Sequence, residues 1–254
     1  MTSVQAERAT HGWRFVVIGA GGLGCPALLG LVAAGARNLC IVDDDCVEVS
    51  NLQRQVLYAV GDLGMPKVEA ARQQLARRSP DVTVEVSRTR LEPTEVEAFV
   101  TTLPARTVVL ECTDSPAIKF AFNDAALAHD VPLVIGAALG LHGQSIAVQR
   151  GGACYRCIYE TPPNALPTCE TAGVLGAAVG ATGFHMASLA LALAEGRRDV
   201  AGRLWAVDLR RMAVQSLQPA PRAACPACGP THVTTESRHQ DAPTISRAAH
   251  DNMS

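Results

Sequence analysis

The stretch RFVVIGAGGLGCPALLGLVAAGARNLCIVD, residues 14–43, restricts the fold more than any other part of the chain. A β-branched apolar run over 14–20 leads into a glycine-rich turn; an apolar helical run covers 27–36, and a second strand-like run over 38–43 ends at Asp43. Strand, tight turn, helix and strand in so short a span make a βαβ unit with parallel strands. Gly19, Gly21 and Gly24 set the pattern G-x-G-x-x-G between the first strand and the helix. Glycine there permits the turn and lets phosphate oxygens approach backbone N–H groups at the positive end of the helix. Asp43 stands nineteen residues past Gly24, where a carboxylate can bond ribose hydroxyls. Taken alone the unit reads as a dinucleotide site, with glycines that serve only close packing as the alternative.

The alternation continues. A polar segment over 43–67 precedes a helix over 67–80 and a strand over 82–88; a helix over 93–103, a strand over 107–114, a helix over 115–130 and a strand over 131–139 follow. The pattern specifies a doubly wound, Rossmann-like α/β fold with a mostly parallel sheet. GQSIAVQRGG, from Gly143, can pair with GRLWAVDLR over 202–210 as an antiparallel extension. Residues 1–230 read as one domain, and the polar, aperiodic 231–254 as a disordered tail. The run 172–194 has no Asp, Glu, Lys or Arg and is long enough to span a bilayer. Its Gly173, Gly176, Gly180 and Gly183 instead suggest a buried helix with a smooth face for another backbone, so no membrane is expected.

A net charge of −2 and the lack of a Lys/Arg cluster argue against a nucleic-acid ligand. The first residues carry no apolar secretory run, which makes the cytoplasm the expected compartment. Thiols stay reduced there, so the nine cysteines read as metal ligands, reactive thiols or buried apolar residues. CYRC and CPAC supply Cys154, Cys157, Cys225 and Cys228, two C-x-x-C pairs far apart in sequence that together match a closed, structural four-thiolate zinc site. Redox pairs are the lesser alternative. Cys25, Cys40, Cys46 and Cys112 read as small buried residues.

Arg54 and Lys67 follow directly after Asp43 in the polar segment. Two cations beside a nucleotide suit a triphosphate whose pyrophosphate must leave, although a pair of solvated surface charges is equally consistent with the pattern. Asp114, at the end of the strand over 107–114, is placed either to serve Mg²⁺ on ATP phosphates or to cap the next helix. Cys169 sits in the proline-rich TPPNALPTCETAG just before a helix, with Glu170 beside it. A helix N-terminus there would lower the thiol pKa and the glutamate would raise it, so the position alone leaves its reactivity open.

GAGGLGCP, VDDDCVEVSNLQRQ, GMPKVEAA, ECTDS, CYRC, CETAGVLGAAVG and CPACG occur in the order and spacing of the ThiF/MoeB/HesA family, bacterial relatives of ubiquitin-activating enzymes, and the chain resembles that family from about Phe15 to Gly229. The resemblance implies a homodimeric ATP-binding adenylyltransferase. Its implied reaction adenylates the C-terminal glycine carboxylate of a small ubiquitin-like sulfur-carrier protein ending in Gly-Gly and releases pyrophosphate. By the same resemblance Gly19, Gly21, Gly22 and Gly24 hold phosphates and Asp43 the ribose. Asp45, Asn51, Arg54 and Lys67 complete the nucleotide contacts, and Asp114 is the magnesium-linked aspartate. Cys154, Cys157, Cys225 and Cys228 match the structural zinc ligands, and Cys169 the crossover-loop cysteine that some members use in sulfur transfer with a sulfurtransferase or cysteine desulfurase. Two departures stand out. The family's N-terminal RYxRQ motif is absent before Phe15, leaving Arg8 or Arg14 as substitutes, and Ser115 replaces the Asn that follows the magnesium-linked Asp. The competing readings are adenylation of a small-molecule or peptide carboxylate, a nucleotide-binding partner subunit without catalysis, and an NAD-dependent oxidoreductase.

Overall fold

A computed structural model of the chain describes residues 10–162 and 173–229. Arg8, Cys169 and the tail 231–254 lie outside the described residues. One eight-stranded sheet runs through the molecule in the order β3-β2-β1-β4-β5-β6-β7-β8. Its strands are β1 (Arg14–Ile18), β2 (Asn38–Val42), β3 (Thr83–Ser87), β4 (Thr107–Glu111), β5 (Leu133–Leu139), β6 (His142–Val148), β7 (Leu204–Asp208) and β8 (Ala213–Leu217). The first five are parallel to one another, with Phe15 opposite Leu39 and Val108, and β5 to β8 are antiparallel. The helices are α1 (Gly24–Ala33), α2 (Lys67–Arg78), α3 (Val96–Thr101), α4 (Pro116–Ala128), α5 (Tyr155–Ile158) and α6 (Gly176–Ala194). This is the expected doubly wound α/β fold with its antiparallel extension.

Because side chains alternate along a strand, β1 feeds two cores. Phe15 and Val17 face Leu28 of α1, Leu75 of α2 and Met186 of α6, while Val16 and Ile18 face Val100 of α3 and Phe122 of α4. Phe15, Leu28 and Phe122 are fully buried, each contributing roughly 1.5–3 kcal/mol by leaving water. The apolar run over 172–194 is mostly α6, the one helix among the described residues long and apolar enough to cross a membrane, and 67% of that window is buried within the fold. Its small residues do admit a neighbouring backbone: a Cβ on Gly183 would lie 2.5 Å from the Leu23 carbonyl and 2.4 Å from Pro26. Gly180 instead faces open space, and Gly173 precedes the helix.

Several boundaries differ from expectation. The first helix begins at Gly24 rather than at 27, since Pro26 falls in its first turn, where a missing N–H costs nothing. Strand β6 pairs with β7 as expected, but also with β5 through a tight link at Gly140, where φ is +59°. Strand β8, with its largely exposed side chains, was not evident from the sequence. Cys25 and Cys112 are buried as expected, whereas Cys40 and Cys46 are only partly so.

Candidate active site

The sheet order reverses between β1 and β4, so their C-terminal ends part and open a crevice, the position at which open α/β sheets take ligands. A cavity of about 1220 Å³ lies there. Gly19, Gly21 and Gly22 line it from the turn after β1, Asp43 and Asp45 from the end of β2, and Asn51, Arg54 and Lys67 from the polar segment. Asp114 closes the opposite side, after β4. Gly24 lies beneath the turn, where a Cβ would stand 2.0 Å from the Gly19 carbonyl oxygen, and Gly19 itself needs φ +90°. These two glycines are therefore required by the turn itself.

Asp43 is fixed by two backbone donors, the Ala20 N–H at 2.7 Å and the Asp45 N–H at 2.9 Å. Burial raises its pKa against the opposing pull of Lys67 and those N–H groups. The Ala20 bond locks the carboxylate to the glycine turn. Lys67 opens α2, its side chain 6% exposed, and donates to the Asp45 carboxylate at 2.7 Å. Arg54 donates to Asn51 Oδ1 at 2.8 Å and to the Ser50 carbonyl at 3.2 Å. Both cations thus face the cavity from anchored positions, which disfavours the reading of free surface charges.

Asp114 does not end a strand. Strand β4 stops at Glu111, and Ser115 caps α4 by accepting from the Ile118 N–H at 3.4 Å. With the cap assigned to Ser115, the Asp114 carboxylate is left to the cavity. Arg14 does not reach the site. It starts β1, at the opposite end of the strand from the glycine turn, and forms a bidentate pair with Glu85 at 2.9 and 2.6 Å.

Three supporting groups were not singled out from the sequence. Tyr58 is buried and donates its hydroxyl to the Ala20 carbonyl at 2.7 Å and the Lys67 carbonyl at 3.2 Å, tying the glycine turn to the start of α2. Burial holds that hydroxyl well above the usual tyrosine range, so it remains a donor. Glu111 and Lys119 form a buried pair at 2.6 Å, with side chains 0% and 5% exposed. Lys119 also donates to the carbonyls of Thr113 at 2.6 Å and Gly136 at 2.7 Å; Glu111 accepts from the Thr113 N–H at 2.9 Å and from its hydroxyl. The loop carrying Asp114 is held between these two charges. A lysine within the apolar run AIKFAF was the available sequence signal.

The four expected metal ligands converge away from this cavity. Cys154 stands at the N-terminal boundary of α5 and Cys157 lies within it; Cys225 and Cys228 come from the segment after β8. Their sulfurs lie 3.8 Å (154 to 157), 3.5 Å (154 to 225) and 3.4 Å (157 to 228) apart, all four within 4.8 Å of one another. Thiolates about 2.3 Å from a tetrahedral zinc stand about 3.8 Å apart, so the set fits a closed structural site. Side chains around it tie it to α4: Arg156 grips Asp124 with two bonds of 2.7 Å, Asn123 accepts from the Tyr155 N–H at 2.8 Å, and Arg222 donates to the Arg156 carbonyl at 2.8 Å.

Known proteins resemble this chain in sequence and in fold. The chain is 39% identical over 220 residues to the SAMP-activating enzyme E1 of Haloferax volcanii, covering 85% of this chain and 80% of the relative. It is 37% identical over 218 residues to the sulfur carrier protein ThiS adenylyltransferase of Escherichia coli, covering 84% and 85%. The adenylyltransferase and sulfurtransferase UBA4 of Yarrowia lipolytica is 39% identical over 186 residues; the match covers 72% of this chain but 46% of that longer protein. Escherichia coli MccB, in its crystal structure with ATP, superposes with a TM-score of 0.76 at 16% identity over 89% of this chain and 69% of its own, a likeness of fold. The ThiF family model matches residues 4–227, and the chain belongs to the ThiF family.

Proposed function

We propose that this protein is an ATP-dependent adenylyltransferase that activates the C-terminal glycine carboxylate of a small ubiquitin-like sulfur-carrier protein and releases pyrophosphate. One observation carries the reading. In a member of the ThiF family, the cavity at the sheet's switch point gathers the glycine turn, the anchored Asp43, two cations and Asp114. An oxidoreductase has no use for Arg54 and Lys67 on a pyrophosphate leaving group. The E. coli relative is named for adenylation of the sulfur carrier protein ThiS and the H. volcanii relative for activation of SAMP, and both match most of this chain.

The carrier carboxylate is already a nucleophile, so no general base is required. Its oxygen bonds to the α-phosphorus as the bond from that phosphorus to the bridging oxygen breaks, and the electron pair leaves with pyrophosphate. The protein aligns the two reactants and offsets the charge growing on the leaving group. In this reading Asp43 holds the ribose and the turn from Gly19 to Gly24 receives phosphates. Arg54 and Lys67 shift from Asn51 and Asp45 toward the triphosphate. Asp114 would hold Mg²⁺, which would supply further charge neutralisation, and Cys154, Cys157, Cys225 and Cys228 would hold Zn²⁺, which would tie the segment after β8 to α5. A homodimer, and sulfur relay through Cys169 with a sulfurtransferase or cysteine desulfurase, complete the reading; the double name of UBA4 supports the coupling of the two chemistries.

The test is ATP–pyrophosphate exchange with a carrier ending in Gly-Gly. Exchange should depend on the carrier and fall by roughly 10²-fold or more in Arg54→Ala and in Lys67→Ala. Unchanged exchange in both variants would remove the assigned roles. Exchange supported by small carboxylic acids and not by the carrier would replace the substrate class.

A further inference from the structure

Beside Arg54, the side chain of Gln55 is 3% exposed and lines the nucleotide cavity. Its Oε1 is buried without a hydrogen-bond partner, one of three such buried side-chain atoms among the described residues. Its Nε2 is directed at the glycine turn, 3.7 Å from where a Cβ on Gly21 would sit. The backbone leaves it little freedom, since the Gln55 N–H bonds the Asn51 carbonyl at 2.9 Å and its own carbonyl accepts from the Tyr58 N–H at 3.1 Å. A buried amide oxygen without a partner opposes folding, and a well-packed site would ordinarily satisfy it or replace the residue with an apolar one.

The orientation explains the cost. With the amide oxygen turned inward, the amide nitrogen is held on the cavity side, at the turn that receives phosphates. Phosphate oxygens are acceptors only, and Nε2 can only donate. Resting on the adenylyltransferase reading above, we infer that Gln55 is a further nucleotide-binding residue, its Nε2 donating to a phosphate oxygen of ATP held over Gly21. The contact is neutral on the protein side, so it adds direction without adding to the positive charge of Arg54 and Lys67. A site that leaves the amide oxygen unpaired in order to hold the amide nitrogen toward its ligand gives up stability for binding, and replacing the amide should reverse the exchange.

Two variants of the full chain test this, with ATP affinity measured by titration calorimetry and the melting temperature measured without nucleotide. Gln55→Leu removes both amide atoms at similar volume. It should weaken ATP binding about tenfold, the usual effect of losing one hydrogen bond to a charged acceptor, while the nucleotide-free protein melts at the same or a higher temperature. Gln55→Glu brings a carboxylate toward the phosphates and should weaken binding at least as much. Wild-type affinity in Gln55→Leu, beside a wild type that binds ATP, overturns the inference and leaves the adenylyltransferase reading intact. Weaker binding accompanied by a melting temperature several degrees lower also overturns it, because loss of packing then accounts for both. A wild type that does not bind ATP removes both readings together.

Discussion

Replacing Lys119 with methionine should be among the most damaging single changes in the core, although Lys119 need not touch substrate. The ammonium donates to Glu111 and to two carbonyls in a site where the two side chains are 5% and 0% exposed. Methionine fills much of the same volume but leaves the buried Glu111 carboxyl without its countercharge, so that it must either stay ionised and uncompensated or take up a proton. Removing one partner of a buried pair costs about 3–5 kcal/mol. For a chain of this size each kcal/mol moves the melting temperature by about 2–4 °C, so a loss of roughly 6–20 °C is expected. Burial already raises the Glu111 pKa, with Lys119 the largest influence pulling it down, and the substitution lets it rise further. The folded variant then holds a proton that the unfolded chain has released. Between the unfolded and folded pKa values its stability therefore falls as pH rises, and its deficit against wild type should be larger at pH 8 than at pH 5.5. Adding Glu111→Gln removes the unpaired charge, keeps an oxygen for Thr113, and should recover at least half of the loss. Urea titrations of the three proteins at both pH values read all of this, and pyrophosphate exchange should fall as the Asp114 loop loosens. A deficit below about 1 kcal/mol, or one that does not change with pH, would show that the pair does not hold the loop.

Gly24→Ala forces a Cβ to within 2.0 Å of the Gly19 carbonyl; the turn must open, with a stability loss of about 1–3 kcal/mol and at least a tenfold loss of ATP affinity, read by thermal melting and calorimetry. Metal analysis should find about one zinc per chain, and Cys228→Ser should lower that content and expose the segment 222–229 to limited proteolysis while the far-ultraviolet dichroism of the sheet persists. His185 stacks on Trp205 with ring centres 4.4 Å apart, bonds Ser145 at 2.8 Å, and has its pKa lowered by burial. The unfolded chain takes up a proton there before the folded one does, so wild-type stability should decline as pH falls below about 6.5, and His185→Gln should flatten that decline in denaturant titrations.

The parts of the molecule legible in the sequence are those encoded over a few consecutive residues. Strand β1, the glycine turn and α1 announce themselves by an unbroken β-branched apolar run, then glycines, then an apolar run rich in Ala and Leu. The two C-x-x-C pairs are as local, and chemistry rather than sequence distance joins Cys154 to Cys225. Groups that hold the site in place are not encoded in this way. Tyr58 reaches Ala20 across 38 residues, and Glu111 and Lys119 meet only because α4 folds back over the end of β4. The same holds for Asp114: the run TVVLECTD reads as strand to its end, yet Glu111 bonds Thr113 and turns the chain, moving Asp114 into a loop and giving the helix cap to Ser115. A strand-end aspartate would be fixed by the sheet ladder, whereas this one is fixed by a buried ion pair. The position of the expected magnesium ligand thus depends on a pair of which Glu111 lies in the motif ECTDS and Lys119 outside it, and breaking that pair should change nucleotide chemistry and stability together.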